Sequence, residues 1–431
     1  MRIFRIEFTL LVLTALLGSL GTADESDRKL ASAQWSHWRG PLLTGEAPAA
    51  NPPVTWSETE NLAWKTAIPG KGHSSPVVWD DRIFLTTAEP FGEELDPRYS
   101  QAPGAHDNLP VTHRQRFRVL AIDRTSGKIV WNTVVKEALP HEAGHFTGSL
   151  ASASPTTDGQ RVYASFGSYG IFALSWNGEI LWQKSLGTMQ SKHGHGEGSS
   201  PLLANGKLIV NWDHEGKSFV VALNATDGRE LWRTKRPEVT SWASPIAVTL
   251  DGKTQVVVSG TTRIRGYDVE TGQVIWECGG LSANVVASPV FHDGILYAAS
   301  SYEIRSILAM NIQGARGDIT GTDRVLWTKD RSTPYVPSPL LYRNSLYYLR
   351  HYQGILSKVN AQTGDDAPGP FRLNGIRDIY ASPVAADGRI YVSDLDGNTL
   401  VISADPIPRP LQANSLGEPI AARPRHSLDA I

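Results

Sequence analysis

The chain has 431 residues, with 41 lysine and arginine residues against 43 aspartate and glutamate residues, and a formal net charge of −2. This balance excludes the broad basic surface of a general nucleic-acid-binding protein. The single cysteine, Cys278, excludes an intramolecular disulfide, so the hydrophobic core must hold the fold together.

The N-terminus has the composition of a secretory signal peptide. Arg2 and Arg5 precede an apolar run over residues 8–20, and small residues follow at 21–23. We therefore expect residues 1–23 to be removed and the mature chain to begin near Asp24. No later segment approaches 18 consecutive apolar residues, so we expect no transmembrane segment after signal removal. These features predict a periplasmic protein, which we expect to be a monomer.

Beyond the signal peptide, one unit recurs along the chain. Each unit begins with Ser-Pro, and the prolines are 44 to 50 residues apart after a first interval of 79. A pair such as Asn205-Gly206 comes next, which suits a type I′ hairpin turn because both residues need positive φ. Alternating strands such as 82–85 and 389–392 follow, and four strands per unit without a helix predict antiparallel blades. The seven prolines are Pro76, Pro155, Pro201, Pro245, Pro289, Pro339 and Pro383.

The fourth strand of most units carries a tryptophan. Trp64 matches this position but precedes the first complete unit, which we explain by an N-terminal strand that closes the last blade and leaves no open edge. Seven Ser-Pro units and one shared blade predict an all-β, eight-bladed β-propeller. Residues 419–431 supply only a first and a third strand, so we expect the last blade to be incomplete. The predicted docking residues are Trp64, Trp131, Trp182, Trp232, Trp276 and Trp327.

Two segments, 121–131 and 267–276, resemble the tryptophan-docking repeats of the PQQ-like quinoprotein β-propellers. That group contains quinoprotein alcohol dehydrogenases and the outer-membrane assembly protein BamB. The resemblance covers residues 60–431, and the whole chain is similar to exported PQQ-binding-like propellers of planctomycete-type bacteria, whose activity is generally unassigned. We therefore divide the chain into a signal peptide at 1–23, an N-terminal extension at 24–59 and one propeller domain at 60–431, with an insertion at 89–116.

One face of such a propeller collects the loops that lead into the inner strands and those that join second and third strands. Convergent polar and aromatic side chains at a concave mouth favour a small-molecule site, although eight blades also present polar loops to water without such a role. The insertion at 89–116 lies on this face, and we expect it to form a partial lid. The candidate ligand-binding residues on this face are His73, His145, His193, His195, Glu197, His214, Trp242, Arg263, Arg265, Asn284, Tyr335, His351 and Tyr380.

Two histidine motifs raise the question of a metal. In the Lys-His-Gly-His-Gly-Glu run at 192–197, alternate residues of an extended segment would point to one side, so His193, His195 and Glu197 could act as ligands. The glycines equally suit a tight turn. The segment 141–145, His-Glu-Ala-Gly-His, has zinc-protease spacing but would need a helix, which its glycine and a preceding proline oppose. We assign no metal site from the sequence.

The expected function is that of a ligand- or protein-binding module of the cell envelope, with no catalytic residue assigned. Its partner would be a small ligand, a glycan or an envelope protein. The resemblance implies two alternatives, a BamB-like assembly scaffold or an oxidoreductase that uses PQQ with calcium. The oxidoreductase needs an adjacent cysteine pair, which Cys278 alone cannot form, and calcium ligands, for which Glu197, Asn284 and Asp378 are candidates.

Overall fold

The computed structural model describes residues 34–351 and 353–417. The predicted signal peptide at 1–23 and the strands predicted for an incomplete last blade at 419–431 lie outside these residues. The described chain forms seven sheets, each built on four antiparallel strands. The all-β prediction is confirmed, whereas the count of eight blades and their closure stay predictions. No helix in this described part is long and apolar enough to cross a membrane.

The sheets follow one another along the chain, each from an inner to an outer strand. The first contains Val77–Trp79 (β1), Arg82–Phe91 (β2), Arg114–Asp123 (β3) and Ile129–Ala138 (β4). The second contains Thr156–Thr157 (β5), Arg161–Ser165 (β6), Ile171–Ser175 (β7) and Ile180–Lys184 (β8). The third contains Leu202–Ala204 (β9), Lys207–Trp212 (β10), Phe219–Asn224 (β11) and Glu230–Lys235 (β12).

The remaining four sheets repeat this arrangement. The fourth contains Ile246–Leu250 (β13), Lys253–Ser259 (β14), Ile264–Asp268 (β15) and Val274–Cys278 (β16), and the fifth contains Val290–His292 (β17), Ile295–Ser300 (β18), Ser306–Asn311 (β19) and Val325–Lys329 (β21). Gly317–Asp318 (β20) adds a parallel strand beside β16. The sixth contains Leu340–Tyr342 (β22), Ser345–Leu349 (β23), Ile355–Asn360 (β24) and Phe371–Arg372 (β25), and the seventh contains Val384–Ala386 (β26), Arg389–Ser393 (β27), Asn398–Ser403 (β28) and Pro410–Ser415 (β29). Two short 3-10 turns cover Gly167–Tyr169 and Lys192–Gly194.

Four of the hairpins between first and second strands have the predicted type I′ geometry. Asn205 and Gly206, for example, have φ values of 48° and 68°. The predicted turn at Asp158 differs, because Gly159 alone of its two central residues has a positive φ. The Asp158 carboxylate instead accepts hydrogen bonds from the backbone N–H groups of Gln160 and Arg161, which closes the turn by an aspartate side chain.

The serine of each Ser-Pro pair ties its sheet to the next one. The backbone N–H of Ser75 donates to Oγ of Ser154 at 2.9 Å, and Ser154 donates in the same way to Ser200. The same 2.9 Å bond recurs along the series Ser200, Ser244, Ser288, Ser338 and Ser382. Each bond satisfies a backbone donor on the channel wall, so the Ser-Pro repeat holds neighbouring inner strands side by side.

Four tryptophans dock on the following sheet as predicted. Their indole Nε1 atoms donate to backbone carbonyls of that sheet at 2.9 to 3.0 Å, as the pairs Trp131 with Trp176, Trp182 with Ala225, Trp232 with Val269 and Trp327 with Ala361 show. Trp64 makes the equivalent bond to the Arg124 carbonyl at 2.9 Å. The N-terminal segment therefore packs on the first sheet where a preceding outer strand would lie, although residues 61–70 form no strand.

Trp276 does not dock in this way, so its assignment as a docking residue needs correction. Its fully buried indole donates to Oε1 of Gln255 in its own sheet at 2.9 Å. The segment around β20 covers this region, with Ile312 and Ile319 packed into the same core. Trp276 therefore packs in the core shared by the fourth and fifth sheets, while its indole hydrogen bond stays within the fourth.

The predicted N-terminal extension crosses the channel on the side opposite the candidate ligand face. Trp35 pairs with Val78 beside the β1–β2 hairpin, and the Ser36 carbonyl accepts hydrogen bonds from β5. Further along, the backbone N–H of Ala47 donates to the Ala385 carbonyl in the seventh sheet. Residues 34–47 therefore close one end of the channel and belong to the fold.

Candidate functional site

The inner ends of the sheets and the N-terminal segment enclose a cavity of about 650 Å³. Trp38 and Arg39 line the cavity at the end that residues 34–47 cover, and loops of the candidate ligand face line the rest of it. Eight of the thirteen candidate residues line this cavity: His73, His145, His195, Glu197, Trp242, Asn284, Tyr335 and Tyr380. The topology therefore gathers, in one place, residues from loops that are far apart in the sequence.

The other five candidates lie elsewhere. Arg263 pairs with Asp318 of the β20 segment, and Arg265 is buried between Glu238 and Glu277. Both arginines are thus engaged in ion pairs outside the cavity. The remaining three stand beside the cavity: His193 in a histidine cluster, His351 against the ring of Tyr335, and His214 in a smaller pocket.

One wall of the cavity is rich in histidine. The rings of His106, His193 and His195 have centroids 4.8 to 5.4 Å apart, and His145 lies 4.8 Å from His195. Each ring has one nitrogen within 3.3 Å of a carbonyl or hydroxyl oxygen. Burial, with further effects from the neighbouring histidines, lowers the pKa of His195 to about 4, so that this ring is neutral at neutral pH.

The insertion at 89–116 brings His106 to this wall. Its two ends extend β2 and β3, and its middle lies over the 192–196 turn. The Asn108 amide donates to the carbonyls of His193 and Gly194 at 2.9 and 2.7 Å. The insertion is therefore fastened beside the cavity mouth, where a partial lid would have to lie.

The opposite wall is rich in tyrosine. Tyr302 and Tyr335 stack with ring centroids 5.8 Å apart, and Tyr380 lines the cavity next to them. Tyr302 is 48% exposed, so this wall continues from the cavity onto the surface. Aromatic faces opposite polar nitrogen atoms are a usual composition for a small-molecule site.

The prediction that His193, His195 and Glu197 point to one side of an extended segment is wrong. The segment is not extended, because residues 192–194 form a 3-10 turn in which His193 has a φ of 57°. The Glu197 carboxylate points to the second sheet, where it accepts hydrogen bonds from the Ser168 N–H at 2.6 Å and the Ser168 hydroxyl at 2.5 Å. Burial raises the pKa of Glu197 to about 7 despite these bonds.

The structure gives no support to either metal motif. Among the described residues, no group of three or more His, Cys, Asp or Glu side chains is arranged to hold a metal ion. The carboxylate of Glu197 is directed to Ser168, away from the histidine wall. Residues 139–148 contain no helix, so the zinc-protease spacing at 141–145 does not place its two histidines on one helical face.

Trp38 and Arg39 line the cavity but were not predicted from the sequence. The available signal was the composition of the extension, because residues 35–39 contain two tryptophans, a histidine and an arginine, which are unusual in a solvated tail. Tyr302 and Asp394 also line the cavity and were missed. Their loops lack the histidine runs that drew attention to the opposite wall.

Several polar atoms around the cavity are buried and have no hydrogen-bond partner in the part of the chain that the structure describes. They are Trp38 Nε1, Arg39 Nε, His73 Nε2 and Asn284 Oδ1. Burial, with a smaller effect from Lys71, lowers the pKa of His73 to about 4, which keeps that imidazole neutral at neutral pH. Because most buried polar groups in proteins are paired with protein or ordered water, these four atoms have unused capacity to bind a ligand or water in the cavity.

Comparison with known proteins identifies the family. A family model described as "Outer membrane protein assembly factor BamB" matches residues 51–207, 115–367 and 216–408. The BamB of Yersinia pestis is 25% identical over 236 residues, which cover 49% of this chain and 52% of that protein. The match to BamB of Escherichia coli strain K12 is 24% identical over 355 residues and covers 70% of this chain and 83% of that protein. The chain thus spans about half the length of the first relative and most of the second.

The solved structure of BamB from Moraxella catarrhalis has a TM-score of 0.51 with this chain at 15% identity, and covers 78% of this chain and 92% of its own. At that identity the likeness shows the fold alone. The family model matches residues 51–408, the same range that contains the repeated docking tryptophans. The chain therefore belongs to the BamB-like family of PQQ-like repeat propellers.

Proposed function

We propose that this protein is a ligand-binding module of the cell envelope that takes up a small molecule in the channel cavity and has no catalytic activity of its own. The observation that carries the proposal is the cavity itself, closed at one end by Trp38 and Arg39 and open between the histidine and tyrosine walls. Cavities of this volume, with aromatic walls and a few converging polar groups, are typical of small-molecule sites.

Export to the periplasm is part of this proposal. It is supported by the signal-peptide composition of residues 1–23 and by relatives named as outer membrane assembly factors. Cell fractionation with an antibody to the mature chain tests it, and recovery of the protein with the cytoplasmic fraction alone would contradict it.

A pair of matched tryptophan variants tests the ligand site. Val286 lines the cavity, so Val286→Trp should fill it, whereas Val274 is 45% exposed on β16 and provides the control Val274→Trp. Calorimetric titration with a panel of sugars, organic acids and envelope glycan fragments measures binding. We expect a compound whose affinity falls roughly tenfold or more in Val286→Trp and stays unchanged in Val274→Trp. Binding that is equal in both variants would place the ligand outside the cavity.

A BamB-like assembly scaffold is the second candidate, and membership of the BamB-like family favours it. The surface that would contact a partner protein is the tyrosine side of the ligand face, where Tyr302 and Ile304 are 48% and 60% exposed. Cross-linking in envelope extracts should retain a partner on the wild type and on Leu326→Ser, an exposed position of β21. Loss of that partner from Tyr302→Ser/Ile304→Ser would support the scaffold, and retention would exclude this surface.

The quinone-dependent alternative has less support from the arrangement of the residues. Glu197, one of its three candidate calcium ligands, is turned to Ser168, and Cys278 is buried with no second cysteine in the chain. The residues present therefore do not assemble the donor set that PQQ with calcium would require, and we derive no reaction step from that cofactor.

A further inference from the structure

The strongest unexplained feature of the cavity is the charge of Arg39. This side chain lies at the closed end and is almost completely buried. Its guanidinium donates to three backbone carbonyls, those of Pro383 at 3.0 Å, Pro339 at 2.7 Å and Thr44 at 2.7 Å. No described carboxylate forms an ion pair with it. Arg39 is thus a buried cation whose hydrogen-bond partners are all neutral, an arrangement that costs free energy unless an anion completes it.

Burial governs the protonation of Arg39 and of the neighbouring His37. Burial lowers the pKa of Arg39 to about 9. Burial, with a smaller effect from the Arg39 charge, lowers the pKa of His37 to about 3, so this neighbouring ring is neutral and adds no second charge. Among the described residues, Arg39 is therefore a positive charge at the closed end of the cavity without a carboxylate partner.

The two carboxylates that line the cavity do not neutralise Arg39. Asp394 accepts hydrogen bonds from the backbone N–H groups of Asp396 and Asn398 and from the Asn398 amide, so its oxygens are engaged in its own loop. Glu197 accepts two hydrogen bonds from Ser168 and, with a pKa near 7, is only partly ionised at neutral pH. Each carboxylate is therefore satisfied by its own surroundings.

Of the four cavity atoms without a partner among the described residues, Asn284 Oδ1 is an acceptor and the other three can donate. Trp38 Nε1 and Arg39 Nε can only donate hydrogen bonds, and His73 Nε2 donates in one of its two tautomers. Unpaired donors that line the same cavity as a buried guanidinium are suited to bind a ligand that carries negatively charged oxygen atoms. A carboxylate fits this pattern because its two oxygens can accept several N–H groups at once.

We propose that the cavity binds a small organic acid, with its carboxylate at Arg39 and its remaining atoms between the histidine and tyrosine walls. This inference rests on the proposed ligand-binding function and names the class of ligand. It also assigns a role to the N-terminal segment, which supplies the charged end of a site whose walls come from the propeller. His73 and His195 are neutral at neutral pH, so they can form hydrogen bonds with the ligand without adding positive charge to the cavity.

Acetate and acetamide provide matched probes, because they have nearly the same size and differ in charge. Thermal unfolding of the wild-type protein is followed in 100 mM of each at constant ionic strength, set with chloride. We expect acetate to raise Tm by about 1–3 °C through preferential binding to the folded state and acetamide to leave it unchanged. Equal shifts with both probes, or no shift with acetate, would overturn the proposal.

Variants then locate the effect. Arg39→Gln should abolish the acetate shift, whereas Arg229→Gln, at an exposed hairpin position, should retain it. An undiminished shift in Arg39→Gln would place acetate elsewhere and overturn the assignment. If Arg39→Gln does not fold, difference density from wild-type crystals soaked in acetate decides the question: a carboxylate within hydrogen-bond distance of the guanidinium supports the site, and acetate confined to the surface overturns it.

These results separate the inference from the proposed function. If neutral compounds bind and lose affinity in Val286→Trp while acetate has no effect, the cavity is a ligand site but not for an acid. If nothing binds in the cavity, both the ligand-binding function and its acidic ligand are wrong.

Discussion

The indole of Trp64 lies against Gly127 of the first sheet, while its Nε1 donates to the Arg124 carbonyl at 2.9 Å. A Cβ added to Gly127 would lie 2.4 Å from the Trp64 ring, and the glycine has a φ of 70°. The N-terminal segment is therefore attached to the propeller by the same contact that joins one sheet to the next. The glycine is needed for two reasons, its positive φ and the close approach of the ring.

Substituting Gly127 tests how much this contact contributes. Gly127→Ala should lower the free energy of unfolding by about 2–4 kcal/mol, because it combines backbone strain with a clash. Gly206→Ala is the control, since Gly206 has a similar φ of 68° but no atom within 4 Å of an added Cβ. The free energy of unfolding of Gly206→Ala should fall by only about 1–2 kcal/mol. Urea denaturation measures both, and equal losses would mean that the Trp64 contact adds nothing.

Glu197 should make stability fall as the pH rises. Its folded pKa of about 7 exceeds its ordinary value of 4.5, so its contribution is fully present below pH 4.5 and is lost as the pH rises through 7. We expect Glu197→Gln, which stays neutral, to remove a decline of about 2 kcal/mol between pH 5 and pH 8. Unfolding is measured at both pH values, with Glu58→Gln at an exposed carboxylate as control. If the free energy of unfolding of Glu197→Gln depends on pH as in the wild type, burial does not raise the pKa of Glu197.

His195 should respond in the opposite direction. Its folded pKa of about 4 lies below its ordinary value of 6.5, so stability from the neutral ring is present above pH 6.5 and is lost as the pH falls toward 4. Burial is the largest cause, and the insertion, held by Asn108, places His106 against the His195 ring. Loosening the insertion with Asn108→Ala should move the pKa of His195 back toward 6.5.

NMR titration of the histidine rings measures this effect. The variant Asn177→Ala, at an exposed turn of the second sheet, should leave the titration of His195 as in the wild type. If Asn108→Ala also leaves it unchanged, the insertion does not shield the histidine wall and the partial-lid prediction loses its basis.

The ion pair between Arg236 and Asp213 should be costly to break. Both side chains are fully buried, and the guanidinium donates two hydrogen bonds to the carboxylate at 2.7 and 2.9 Å. Arg236→Met should lower the free energy of unfolding by about 3–5 kcal/mol, because it leaves the buried Asp213 carboxylate without its ion-pair partner. Arg229→Met removes the partner of an exposed aspartate and should cost less than about 1 kcal/mol.

Replacing both residues separates two effects: the loss of attraction between Arg236 and Asp213, and the cost of a buried Asp213 carboxylate without its partner. Asp213→Leu/Arg236→Met should be less destabilised in urea denaturation than Arg236→Met alone, because neither charge of this pair is then left buried without its partner. If the double variant loses as much as the single one, the packing of the arginine matters more than its charge.

The sequence predicted the parts of this protein that repeat. Alternating strands, the Asn-Gly and Asp-Gly turns and the docking tryptophans follow from interactions between residues close in sequence or one unit apart, and four of the predicted tryptophan contacts and the Trp64 contact are present. Departures arose where a local feature replaced the repeat. Asp158 closes its turn through its side chain, and Trp276 turns into its own sheet because the β20 segment covers it.

The candidate site shows the same division. The sequence by itself determined which residue types lie on the loop face, because repeat position assigns each loop to one end of its blade. It could not determine that Glu197 turns to Ser168, that Arg263 and Arg265 are engaged in ion pairs, or that Trp38 and Arg39 close the channel. Those arrangements depend on single contacts between segments that lie from tens of residues apart, as for Glu197 and Ser168, to more than 300 apart, as for Arg39 and Pro383. No periodic pattern encodes such contacts, and only the tertiary structure decides them.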